Sequence, residues 1–160
     1  MDERDARLQA LVDRADIRDL VESYADVVDG KDWDAYRALF TADAQLDYTG
    51  AWGIEGGVEE VAAWLSRLMD PAVNPSSHHV ISNIRVAIRG DEADVRAYYL
   101  TPAVMADDHG NRSMVVNTGK YSIGARREPD GWRISRFAAV SDTMHSAQMI
   151  EFESPVDTAG

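Results

Sequence analysis

From Arg4 to Val28, apolar residues recur at helical spacing. Leu8, Leu11, Val12 and Ala15 form one set, and Ile17, Leu20, Val21, Tyr24 and Val28 a second. The spacing predicts a long amphipathic helix, with Asp16 as a cap where the second set begins. Gly30 is expected to end it, because glycine tolerates positive φ. "DWDAYRALF" predicts a short helix with Asp32 as N-cap, and "AQLDY" a short strand. After "GIEGG", residues 58–69 place Val58, Val61, Ala62, Leu65, Leu68 and Met69 on one helical face before Pro71 and Pro75 break the chain. The second half changes period. "HHVISNIRVAIRG", "EADVRAYYLTPAVMA", "SMVVNTGKYSIGARR" and "GWRISRFAAVSDTM" are strand-like runs, separated by the turn signals "RGDE", "DDHGN" and "EPDG". Such short connections predict antiparallel neighbours. The expected fold class is α+β: a cone-shaped, curved antiparallel sheet closed by N-terminal helices, its open end a pocket. Residues 1–145 read as one domain. Residues 146–160 read as a tail that is partly flexible or packs on the pocket or a partner.

The totals narrow the function. The chain has 160 residues, 45% of them hydrophobic, which suits one domain with a real core. No apolar run approaches the ~18 residues of a membrane span, and "MDERDARLQ" does not read as a signal peptide. No cysteine is present, so thiolate metal sites, disulfides and a cysteine nucleophile are out, and a cytoplasmic location is expected. A net charge of -12 disfavours nucleic acid and anionic membranes as partners. A small, apolar, largely uncharged ligand fits better.

Candidate chemistry concentrates in a few places. Asp29 ends the long helix, where a carboxylate meets the negative end of the dipole. Either it is a solvated turn residue or it points inward to a donor such as histidine, whose tautomer it would fix. His78 and His79 sit side by side at a strand start, so alternation sends them to opposite faces. The even row, through Val80, Ile84, Val86 and Ile88, looks more like a packed face. A β-bulge would reverse that parity, so alternation leaves the choice of histidine open. Asn117 is the polar member of the inward row Val115, Asn117, Gly119, Tyr121 and Ile123, either as a structural amide or as a group that orients a substrate. Tyr24 and Tyr48 read as core aromatics with hydroxyls at an edge. Tyr98 and Tyr99 are ambiguous, while Met105, Met114 and Phe137 read as wall. His109 is expected in solvent and His145 near a pocket mouth at best. No HxH or HExxH spacing is present, so no metal site is expected.

These residues resemble a known family. "DGKDWDAYRALFTADAQLDY", "HHVISNIRV", "VNTGKY" and "DGWRI" are similar to the matching stretches of scytalone dehydratases. The pattern over roughly residues 8 to 140 resembles the SnoaL-like branch of the nuclear transport factor 2-like superfamily. The resemblance implies a cofactor-independent catalytic site. It assigns His79, not His78, as the base, Asp29 as its partner, Tyr48 and Tyr24 as carbonyl-polarising tyrosines and Asn117 as a substrate-orienting amide. Val28, Met105, Tyr99 and Phe137 complete the implied substrate-binding set. Val28 stands where scytalone dehydratase has a second tyrosine, Met105 near its second histidine, and Pro102 near an acid of the bile-acid dehydratases. The implied reaction is proton removal α to a carbonyl and syn loss of water from a polyketide- or steroid-like ring. The alternatives are a cyclase or isomerase using the same pair, an epoxide hydrolase built on Arg85 or Arg96 with two acids, and a non-catalytic binding module. A sheet face of this kind needs covering, so a homodimer or homotrimer is expected.

Overall fold

A computed structural model describes residues 2–149. Helix α1 (Glu3–Asp29) starts at Asp2, whose side chain accepts the Asp5 amide at 2.8 Å. It is one uninterrupted helix, so Asp16 lies mid-helix and caps nothing. Its buried residues are Asp13, Ile17, Val21, Tyr24 and Val28, a stripe at three- and four-residue spacing. The first expected set does not join the core: Leu8 and Leu11 are 60% and 58% exposed, and Val12 also lies in solvent. Nothing among the described residues covers those first turns, and packing begins at Asp13. The helix ends differently too. Gly30 stays right-handed (φ -73°), while Lys31 takes the positive φ of 57°.

Helix α2 (Trp33–Ala38) is capped by Asp32, which accepts the Ala35 amide at 3.0 Å. Strand β1 (Phe40–Asp47), a 3-10 turn (Thr49–Ala51) and β2 (Glu55–Gly56) lead to α3 (Val58–Leu68), whose Val61, Ala62 and Leu65 are buried. The remaining elements are β3 (Ser76–Ser77), β4 (Val80–Arg89), β5 (Glu92–Ala106), β6 (Arg112–Glu128) and β7 (Gly131–Gln148).

One curved sheet runs β2-β1-β7-β6-β5-β3, and β4 also pairs with β5. The four long strands form the expected antiparallel meander. β1 instead lies parallel to β7, because it enters the sheet from the helices rather than through a hairpin. The fold is therefore α+β, with helices on the inner face of an unclosed sheet. β7 continues past residue 145, pairing Gln148 with Ser113. The rest of the expected tail, residues 150–160, lies outside the described residues.

Three bulges aim the inner face. In β4, Ser82 pairs with Tyr98 and Arg85 with Arg96, so β4 carries one extra residue there. Asn83 absorbs it with φ 53°. In β7, Thr143 pairs with Thr118 but Ser141 with Gly119, leaving Asp142 as an extra residue, and Arg136 pairs with Gly124 but Ile134 with Ala125, leaving Ser135 as another. Each bulge exchanges odd for even positions on the inward side.

Candidate active site

The β4 bulge decides between the two histidines. Beyond it, Ile84, Val86 and Ile88 pack inward; before it, the inward positions are Ser77, His79 and Ile81. His78 is exposed, and its amide donates to the Pro102 carbonyl at 3.0 Å. Within the inner face, His79 and Asp29 meet. His79 Nδ1 lies 2.6 Å from Asp29 Oδ1, and the His79 backbone amide donates to Asp29 Oδ2 at 2.7 Å. Ser77 Oγ donates to Asp29 Oδ1 at 3.0 Å.

Three donors thus offset the unfavourable helix-end position of the carboxylate. Burial alone would raise the Asp29 pKa. The His79 ring and amide bonds, the imidazole charge and the Ser77 bond outweigh it, so the carboxyl is held below its ordinary value. An ionised Asp29 keeps the proton on Nδ1 and leaves Nε2 with its lone pair.

The pair opens on a cavity of about 400 Å³ enclosed by α1, α3 and the inner sheet face. Tyr24, Val28, Tyr48, Tyr99, Met105 and Asn117 line it. The Tyr24 ring stands edge-on to the His79 ring, centroids 6.2 Å apart. Its hydroxyl is 2.9 Å from that of Tyr48, and Tyr36 Oη lies 3.5 Å from the latter. Burial pushes the Tyr24 and Tyr48 hydroxyls well above the ordinary tyrosine range, so both remain donors at neutral pH. Asn117 faces the cavity with its carboxamide oxygen already taken by the hydroxyls of Ser141 and Tyr99. Its NH2 is the group left for a ligand.

Phe137 departs from the expectation. It is fully buried and stacks behind Tyr24 and Tyr48 (centroids 4.8 and 5.3 Å), so it backs the cavity without lining it. The reason is layering: α1 and the turn that follows β1 each place a tyrosine between Phe137 and the opening. Met114 points outward at 42% exposed, and Tyr98 at 50%, whereas Tyr99 is buried. His109 and His145 are exposed and neither lines the cavity; His145 points outward beside Met144, which does. Arg85 and Arg96 are exposed, which removes the inward arginine an epoxide hydrolase reading requires.

Several cavity residues escaped the reading of the sequence. Ser77 was accessible to it, two residues before His79 on the same face. Trp64 sits on α3 beside the expected Leu65, and Trp52 stands exposed at the rim. Met144 carried no signal, because the β7 bulge at Asp142 turns it inward.

The comparisons agree with this architecture. A sequence model of the SnoaL-like domain matches residues 9–138. An uncharacterized protein of Mycobacterium tuberculosis is 34% identical over 125 residues, covering 78% of this chain and 82% of that protein. A nuclear transport factor 2-like protein with a cystatin-like fold from Novosphingobium aromaticivorans superposes with TM-score 0.67 at 24% identity, covering 86% of each chain. A hexachlorocyclohexane dehydrochlorinase of Novosphingobium barchaimii superposes with TM-score 0.77 at 18% identity, covering 93% of this chain and 99% of that one. With its cystatin-like α+β fold and a family match across most of its length, the chain belongs to the SnoaL-like domain family.

Proposed function

We propose that this protein is a cofactor-independent lyase that eliminates water from a cyclic, largely apolar hydroxyketone. The observation that carries the reading is the 2.6 Å contact between His79 Nδ1 and Asp29 Oδ1 at the wall of an apolar cavity. A fold shared with a dehydrochlorinase, by its name an elimination enzyme, is consistent with it.

His79 Nε2 takes the proton α to the ketone, and Asp29 stabilises the resulting imidazolium. The Tyr24–Tyr48 hydroxyl pair donates to the ketone oxygen as it gains enolate charge, and the Asn117 NH2 orients the ring. The imidazolium then returns its proton to the departing hydroxyl on the same face. One C–H and one C–O bond break, a C=C bond forms, and water leaves with no net redox change.

The test is incubation with β-hydroxy cyclic ketones such as 3-hydroxycyclohexanone, following enone absorbance and the mass of the product. Wild type should yield the enone with loss of one water. His79→Ala should lower kcat ~10²–10⁴-fold, the usual contribution of a general base, in a variant that circular dichroism shows to be folded. Full turnover in that variant would overturn the assignment. Exchange of the α-proton with solvent deuterium without loss of water would move the reading to an isomerase or cyclase.

A further inference from the structure

The cavity holds two buried oxygens that the proposed chemistry leaves unused. Among the described residues, Asn74 Oδ1 and Thr101 Oγ1 are shut from water and have no hydrogen-bond partner. Both residues line the cavity. Asn74 is only 4% exposed, and its NH2 makes just two long contacts, 3.6 Å each, to the sulfurs of Met69 and Met105. An amide held so weakly is free to turn about its broad χ2 torsion and meet a ligand. An unpaired buried acceptor is costly, and a ligand donor that satisfied it would recover that cost.

Strand register places the two oxygens at different ends. Ser77 pairs with Ala103 and Val80 with Leu100, so His79 stands beside Thr101, and Thr101 pairs with Asn117. Thr101 therefore lies between the dyad and the orienting amide, at the reacting end. Asn74 contacts Met105, four residues further along β5, which is ~13 Å of strand. The cavity between is walled by Ala103, Val115 and the apolar side of α3.

We propose that Asn74 is a specificity-determining residue: its Oδ1 accepts a hydroxyl at the end of the substrate remote from His79, while Thr101 contacts the oxygen at the reacting end. The substrate class this selects is a two-ring compound with an oxygen function at each end, the remote one a donor. The inference rests on the cavity being the substrate site, but not on which bond is broken there.

Three probes separate donor recognition from size: 2-naphthol, 2,6-dihydroxynaphthalene and 6-methoxy-2-naphthol, each titrated into the whole protein by calorimetry. Wild type should bind the diol roughly tenfold tighter than 2-naphthol, the yield of one well-made neutral hydrogen bond. The methoxy compound, which offers no donor, should lack that gain. In Asn74→Leu and Asn74→Ala the preference should collapse, with 2-naphthol affinity retained as the control for folding. Thr101→Val should weaken both naphthols alike. A diol preference that survives in the Asn74 variants, or equal binding of diol and methoxy compound by wild type, overturns this inference and leaves the lyase reading standing. Loss of activity in His79→Ala with the diol preference intact supports it. If none of the probes binds wild type, this inference falls together with the substrate-site reading on which it rests.

Discussion

Asp29 shows how much one carboxylate depends on its surroundings. At a helix C-terminus it faces the negative end of the dipole, yet it accepts from His79 twice and from Ser77 once. Its folded pKa lies below its unfolded value of about 4. The sign follows: the stabilisation is present in full above the unfolded pKa and is lost as pH falls through the folded one. The Tm difference between wild type and Asp29→Asn should therefore be largest from pH 5 upward and close in acid. A difference independent of pH between 2 and 6 would mean that the bonds do not favour the charged form. The same substitution should cost turnover, since an amide in place of the carboxylate no longer fixes the imidazole tautomer. At this scale the sequence was informative. Asn117 stands out as the polar member of an apolar row and Asp29 by its place at the helix end, whereas His79 was preferred to His78 only through the family resemblance. Thr101 and Asn74 were not legible, since an unpaired oxygen can be recognised only once every neighbour is known.

At the scale of elements, two devices carry the weight. The first is the β4 bulge at Asn83, which lets His79 and the Ile84–Val86–Ile88 row share one face. A β-branched residue disfavours the left-handed backbone by ~1–2 kcal/mol. Asn83→Val should lower Tm by about 3–6 °C, whereas Asn83→Gly should leave it nearly unchanged. Equal melting of the two variants would show that the bulge relaxes without strain. The second device ties α1 to the β6–β7 hairpin. Asp13, 4% exposed, accepts from Arg127 at 2.7 and 2.9 Å and from Trp132 Nε1 at 3.3 Å. The Arg127 hydrogen bond, though opposed by burial, holds the Asp13 pKa below its ordinary value. Arg127→Ala would leave a buried charge unpaired. Because Arg127 itself is about a third exposed, the expected loss is ~2 kcal/mol, below the usual cost for a fully buried pair. Urea unfolding measures it. Helical periodicity located α1, but it took Leu8, Leu11 and Val12 for core and passed over Asp13. Spacing reports which residues share a face, not whether anything packs on that face.

For the whole molecule, the sheet's outer surface remains open. Val80 pairs with Leu100, and Tyr98 stands two residues from Leu100 on the same face of β5, so three apolar side chains, 41–50% exposed, form one patch, with Val140 beyond Lys120. We propose that a second or third copy of this chain covers it, in keeping with the tendency of contiguous apolar patches to be interfaces. Light scattering at micromolar concentration should give a dimer or trimer mass, and Tyr98→Glu should shift it toward monomer. A monomer mass for wild type would sink the proposal. Among the described residues no helix is long and apolar enough to cross a membrane.

The sequence by itself determined the order of helices and strands, the α+β class and the small set of polar residues worth suspecting. Those depend on local period, turn chemistry and residue type, which the chain carries position by position. Only the tertiary structure decided which histidine faces inward, that Phe137 backs the cavity while Met144 lines it, and which oxygens stay unpaired. A single inserted residue in β4 and two in β7 each reverse the parity of the positions beyond them. Such a shift shows only in the register between strands, a relation among residues distant along the chain that no stretch of sequence states alone.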